Sequence, residues 1–286
     1  MPFDGPPTRR RPTQLALFRP EPVQLDAPLC VSYGMGVDST AMLVGLHARG
    51  IVPSLITFAD TGGEKPETMA FLPVIQAWCR SVGFPEVVVV RYAGHHGRYA
   101  TLYDNCIANR TLPSLAFGGK SCSQKFKTAP QNAYRRTHAP LVASWKAGVR
   151  PWVAVGYDCG PADARRSKIP DDKKYRYWYP LREWGWDRVE CEQQIRRAGL
   201  PVPPKSACFF CPATKPHELT ALVHTHPQLA DEIVRMETTA APKMRTEGNG
   251  LWREGCKGTR GSIAKPGRMS EWIAAVRAGV PWKVAA

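Results

Sequence analysis

What the chain lacks narrows it first. None of its apolar runs approaches the ~20 residues that a membrane-crossing helix needs, and it opens without the long apolar stretch of a secretory signal. A soluble, cytoplasmic protein with no membrane partner is expected. Acidic residues are scarce beside basic ones, 24 Asp plus Glu against 39 Lys plus Arg, which leaves a net charge of +15. That balance suits polyanions such as nucleotides, pyrophosphate and nucleic acid, and it equally suits a plain basic surface. The cysteines do not make an even set: nine are scattered along the chain. In a cytosolic setting they read as thiols, or as ligands of a metal or cluster, before disulfides. Internal repeats are absent.

What is present begins with length. The 286 residues, 43% of them hydrophobic, suffice for one large α/β domain with an elaboration. Residues 1–28 hold seven prolines and the run Arg9-Arg10-Arg11, without helical or strand period, and read as a disordered basic arm. Its one apolar island, Gln14-Leu15-Ala16-Leu17-Phe18, resembles the short peptide by which bacterial replication proteins dock on the sliding clamp. The plainer reading is an arm segment that packs on its own domain.

From residue 29 onward strand and helix signals alternate. Leu29 to Tyr33, Pro53 to Phe58, Val87 to Tyr92 and Trp152 to Gly156 read as strands, with helices over Ser39 to Arg49 and Pro66 to Val82. Four consecutive valines in the third strand imply burial on both faces. This alternation predicts a doubly wound parallel sheet, Rossmann-like, whose ligands bind at the carboxyl ends of the strands. Beyond residue 185 strand signals fade. Asp187 to Gly199, Pro227 to Thr239 and Ser270 to Ala278 read as helices, so 29–184 is taken as a nucleotide-binding domain and 185–286 as a mainly helical C-terminal region.

Three segments fall at strand ends. The first is Ser32-Tyr33-Gly34-Met35-Gly36-Val37-Asp38-Ser39-Thr40. Glycines permit a sharp turn, and the helix that follows offers unpaired N–H groups and its positive dipole end to phosphate. Ser39 and Thr40 add hydroxyls, and Asp38 can orient the turn or help hold Mg²⁺. No Gly-Lys-Ser/Thr ending is present, so this is not a Walker A loop, and Ser39 stands where a dinucleotide fingerprint has its third glycine. The second segment runs Asp60-Thr61-Gly62-Gly63-Glu64-Lys65-Pro66-Glu67-Thr68. Its carboxylates can coordinate Mg²⁺ bridged to phosphate oxygens, or Asp60 and Thr61 can cap the next helix. The third holds Gly156-Tyr157-Asp158, Asp163, Arg165 and Arg166, where an arginine could face polyphosphate or belong to a solvated loop.

On these segments the chain resembles the PP-loop ATP pyrophosphatases (adenine nucleotide alpha hydrolases), in the branch of phosphoadenylylsulfate reductase and its CysH-like relatives of phages, plasmids and some CRISPR loci. Gly36-Val37-Asp38-Ser39 matches the second half of that family's Ser-Gly-Gly-x-Asp-Ser; Gly34 and Met35 stand where Ser-Gly is usual. The second segment follows the family's Asp-Thr-Gly-x-Glu-x-Pro-Glu-Thr almost residue for residue. The resemblance spans about residues 29–220 and implies ATP with Mg²⁺ as cofactors. It implies nucleotide contacts from Ser32, Gly34, Gly36, Ser39, Thr40, Thr61, Gly62 and Lys127, and catalytic roles for Asp38, Asp60, Glu64 and Arg165. Asp60 and Glu64 are expected to face the same crevice as Asp38.

The resemblance also bears on the cysteines. Iron–sulfur reductases open one segment with Cys-Cys and end it Arg-Lys-x-x-Pro. Aligning on Lys127 and Pro130 places Cys122 on the first cysteine and Ser123 on the second, and Cys208-Phe209-Phe210-Cys211 supplies a later pair. A [4Fe-4S] cluster takes four cysteines. Cys191 is the first choice for the fourth, ahead of Cys256 and Cys106. Zinc, or thiols packed without metal, are the alternatives. The reductases' Glu-Cys-Gly-Leu-His nucleophile segment has no match; Gly255-Cys256-Lys257 is the nearest late cysteine.

Two further groups are candidates for ligand contact: His95-His96, and the aromatics Tyr175, Tyr177, Trp178 and Tyr179 interleaved with Lys173, Lys174 and Arg176. The aromatics also fit a loop packed under the sheet. The expected chemistry is attack of an acceptor oxygen on the α-phosphorus of ATP with release of pyrophosphate. Nucleic acid, and a sliding clamp or nucleoprotein complex, are the expected partners. A sulfonucleotide reductase and a non-catalytic nucleotide-binding module are the alternatives.

Overall fold

The computed structural model describes residues 25–94, 99–161, 163–164, 166–168, 170–244, 248–252 and 265–282. The candidates Arg165, His95, His96 and Cys256 and the island 14–18 lie outside these residues. In chain order the elements are β1 (Leu29–Tyr33), α1 (Val37–Ala48), β2 (Leu55–Asp60), α2 (Pro66–Ala70), α3 (Leu72–Ser81), β3 (Val87–Arg91), α4 (Leu102–Asn109) and α5 (Ser121–Ser123). A π-helical turn over Gln124–Thr128 leads into α6 (Ala129–Arg135). Then come α7 (Ala139–Lys146), β4 (Trp152–Val155), β5 (Arg176–Trp178), α8 (Pro180–Glu183), α9 (Arg188–Arg197), α10 (Pro216–Thr225), α11 (Pro227–Ala240) and α12 (Met269–Arg277).

The five strands form one parallel sheet in the order β3-β2-β1-β4-β5. The doubly wound α/β architecture expected from the alternation is what the chain adopts. Strand order reverses between β1 and β4, and such a switch point leaves a crevice at the strands' carboxyl ends. The interleaved aromatics resolve into structure rather than loop: Arg176–Trp178 is the edge strand β5. Tyr175 and Tyr177 pack on the small core that includes Leu141 and Val153. The helix expected over 66–82 is interrupted at Phe71, because Pro73 cannot donate the backbone bond a continuous helix requires.

Two larger cores divide the molecule. The first lies between the sheet and α1, α3, α8 and α9, with Met42, Leu43, Leu46, Ile56, Phe58 and Ile195 at its centre. Full burial of each such side chain contributes ~1.5–3 kcal/mol. α1 is buried almost all round, since the sheet covers one side and α9 the other. Its Gly45, a poor helix former, has a packing reason: a Cβ there would lie 2.2 Å from the Trp184 ring. The second core joins α4, Leu112, Ala116 and Phe126 to α10, α11 and α12. The division of cores therefore does not fall at residue 185, because α9 belongs with the sheet and residues 102–126 belong with the C-terminal helices. Among the described residues no helix is long and apolar enough to cross a membrane.

Candidate nucleotide site and thiol group

The turn between β1 and α1 opens at the switch point. Ser39 Oγ accepts from the Gly34 N–H (3.1 Å) and donates to the Gly36 carbonyl (3.1 Å), bracing the turn from within. Met35 adopts φ 60°, a left-handed conformation that disfavours a side chain, and is held there with its side chain wholly buried in the first core. No side chain caps α1 at Gly36, so its first N–H groups stay open to an anion. Gly156, at the end of β4, lies flat against this helix start: a Cβ on it would sit 2.9 Å from the Ser39 backbone nitrogen. From the C-terminal region, Ser206 Oγ donates to the Gly34 carbonyl at 2.5 Å.

Thr40 is not available to a ligand. Its hydroxyl is buried and bonded to the Tyr33 hydroxyl at 2.9 Å, turned into the first core. Ser32 Oγ accepts from Arg135 Nη2 at 2.7 Å.

The carboxylates separate into different settings. Asp38 stands beside the helix start. Burial pushes its pKa up to about 6, against the opposing pull of Arg188, with Asp158 and Asp163 adding repulsion. Arg188 Nη1 lies 3.1 Å from Asp38 Oδ1 without hydrogen-bond alignment, leaving a buried oxygen with no hydrogen-bond partner. Asp60 is already engaged. Its Oδ1 accepts from the Gly62 N–H (2.8 Å) and its Oδ2 is held by Arg91 Nε (2.9 Å) and Nη2 (2.8 Å). The capping of the next helix expected as its alternative is not made: α2 starts after Lys65 with no side-chain cap, and Asp60 instead closes a tight turn at Gly62, whose φ is +71°.

Glu64 does not share Asp38's setting. Its backbone forms an antiparallel bridge with Cys208, reinforced by Phe209 N–H to Gly63 O at 2.8 Å, and this draws the side chain to the thiols. There it is 1% exposed, with Lys127 Nζ 3.7 Å away and neither oxygen hydrogen-bonded. Burial raises its pKa and Lys127 partly offsets this. Burial acts to lower the Lys127 pKa, but Glu64, Cys208 and Cys211 outweigh it and the net direction is up. Thr61 likewise faces the thiols, its hydroxyl 3.0 Å from Cys208 Sγ. Lys127 and Thr61 therefore meet the Cys-x-x-Cys segment.

Of the four expected cysteine ligands, Cys122, Cys208 and Cys211 line the second core, whereas Cys191 is buried in the first, on α9. Cys191 feels Asp38 and Asp158 rather than the other thiols. It is placed there because α9 packs its apolar stripe on α1. Cys106, on α4, lies in the second core with the other three instead. Cys106 and Cys122 are near enough to interact electrostatically, as are Cys122 and Cys211, and Cys211 and Cys208. Burial pushes the Cys106 and Cys208 thiols up to about 12. Among the described residues no three His, Cys, Asp or Glu side chains converge closely enough to hold one metal ion.

Sequence reading missed Arg135, Arg188 and Ser206. Each sits in an ordinary polar or basic stretch, and its meaning comes from a partner far along the chain.

No protein-family model matches the chain, and no curated protein matches it. A solved structure, the U34-tRNA thiolase NcsA from Methanococcus maripaludis with its [4Fe-4S] cluster, is similar at 12% identity and a TM-score of 0.40, over 92% of this chain and 84% of that one.

Proposed function

We propose that this chain is an ATP-using enzyme of the PP-loop kind, in the CysH-like branch. In this reading it reacts ATP at the α-phosphorus and passes adenylate to an acceptor or to water. The observation that supports it is the uncapped start of α1 at the β1–β4 switch point, with Gly156 flat against it and Asp38 alongside. Open N–H groups, a positive dipole end and room for close approach are what a pyrophosphate requires. In the proposed step an acceptor oxygen attacks the α-phosphorus, the bond to the bridging β-phosphate oxygen breaks, pyrophosphate departs, and the acceptor proton goes to solvent.

Backbone N–H groups of Gly36, Val37 and Asp38 would hold the departing pyrophosphate, and catalysis would be chiefly positioning and electrostatics. Mg²⁺ fits the Asp38 setting: the carboxylate has a buried oxygen lacking a hydrogen bond, and Mg²⁺ takes one or two protein carboxylates, with phosphates and water completing its shell. When bound it would neutralise charge on the phosphates. Asp38, with Asp158 or Asp163 nearby, would hold it.

For the thiols, the proposed occupant is an iron–sulfur cluster, for which Cys106, Cys122, Cys208 and Cys211, four cysteines of the one core, would be the ligands. Lys127 would supply positive charge beside it. The acceptor proposed is nucleic acid, on the net charge of +15.

The deciding experiment is incubation with Mg²⁺ and α-labelled ATP, with and without RNA or DNA, resolving AMP and adenylated acceptor from ADP. AMP or an adenylated acceptor, lost in Asp38→Ala, is expected. ADP, or no product under any condition, would overturn the reading in favour of a non-catalytic nucleotide-binding module. Thioredoxin-supported reduction of a sulfonucleotide would favour the reductase.

A further inference from the structure

Arg135 ends α6 and is 4% exposed, yet no carboxylate pairs with it among the described residues. Its guanidinium meets only neutral acceptors: Ser32 Oγ at 2.7 Å, Asn132 Oδ1 at 3.1 Å and Gln131 Oε1 at 3.4 Å. The Tyr175 ring lies beneath it, 5.6 Å from Cζ, and its Nε has no acceptor at all. A buried charge without a counter-charge is costly, because only hydrogen bonds to neutral groups offset its desolvation. Packing therefore does not account for an arginine here.

Its position does suggest a use. Ser32 is the penultimate residue of β1, in register with Thr57 of β2 and Val155 of β4. Thr57 bonds Gln131 of the same helix at 2.8 Å. The Arg135–Ser32 pair thus comes up to the switch-point crevice from the α6 face, whereas Tyr33, Met35 and Val37 carry the chain toward the α1 face. Because Arg135 occupies the Ser32 oxygen as an acceptor, the Ser32 hydroxyl proton is left to donate outward. The nearby positive charge strengthens that donor.

We propose that Arg135 is a positioning residue which, through Ser32, binds the adenylate half of the nucleotide, while the start of α1 binds the pyrophosphate half. The ligand class is a nucleoside monophosphate. The proposal rests on the PP-loop reading above.

The test is calorimetric titration with AMP and, separately, with pyrophosphate, each with Mg²⁺, on wild type, R135M, R135K, S32A and the R135M/S32A double variant. Urea denaturation curves accompany each protein. Expected is an R135M protein with an unchanged or raised denaturation midpoint, wild-type affinity for pyrophosphate, and AMP binding about ten- to a hundredfold weaker. S32A should lose a similar factor, the double variant should lose no more than either single change, and R135K should recover part of the affinity. Unchanged AMP binding in both R135M and R135K would overturn the proposal. So would equal losses for both ligands, or a lowered midpoint in R135M, which marks a structural role. Wild-type protein that binds neither ligand would overturn the PP-loop reading itself, and this inference with it.

Discussion

Asp38→Asn should stabilise the protein while abolishing its proposed activity, and the size of the effect can be worked out. The Asp38 carboxyl titrates at about 6 in the fold against 3.8 when unperturbed, burial being the main cause. A difference of about 2 units corresponds to ~3 kcal/mol. The sign follows from which state holds the proton. Between the two values the folded form is protonated and the unfolded form is not, so stability falls as pH rises through this window. The penalty is complete above about pH 6 and absent below about pH 4. Asparagine keeps the shape and removes the charge. Arg188, which loses its partner, has a side chain 53% exposed and is rehydrated cheaply. Urea unfolding of wild type and D38N across this range should therefore show D38N more stable by up to ~3 kcal/mol at neutral pH, the gap closing on acidification. ATP cleavage should be lost throughout. A gap that does not vary with pH, or a D38N protein less stable at neutral pH, would refute the assignment of Asp38 as a desolvated, under-compensated carboxylate.

Two other perturbations follow from the same reasoning. Glu237 is buried on α11, and its carboxylate accepts from the backbone N–H groups of Leu251 (2.7 Å), Met269 (3.0 Å) and Ser270 (2.8 Å), pinning the start of α12. Glu237→Gln turns an acceptor into a donor facing one of these groups and should cost ~2–3 kcal/mol in urea unfolding, with little change in nucleotide binding. Thiol alkylation of metal-free protein near neutral pH should modify Cys211 and Cys122, both partly exposed, well before Cys106 and Cys208, whose buried thiols titrate at about 12; peptide mass mapping over time reads the order.

Much of the framework could be read from the chain because it depends on local pattern. The apolar run Leu29–Tyr33, the glycines after it and the helical spacing of Met42, Leu43 and Leu46 locate β1, the turn and α1 without any knowledge of what surrounds them. The carboxylates were harder, since what they face is set by tertiary contacts. Asp60 is taken up because the β2–β3 register places it opposite Arg91, and a register between strands is not written in either strand alone. Glu64 is diverted by its bridge to Cys208, a residue in a distant segment. Cys191 is parted from the other thiols for a similar reason: nearness in sequence to the Cys-x-x-Cys favours it as their companion, but α9 buries its apolar stripe against α1 and carries Cys191 into the other core.

The same distant contacts unite the site. Residues 206–209 touch the β1–α1 turn through Ser206 and Gly34, and touch the 61–64 segment through Cys208, Thr61 and the Gly63 carbonyl. The turn that would cradle pyrophosphate and the thiols that would hold a cluster are thus braced by one short stretch of chain.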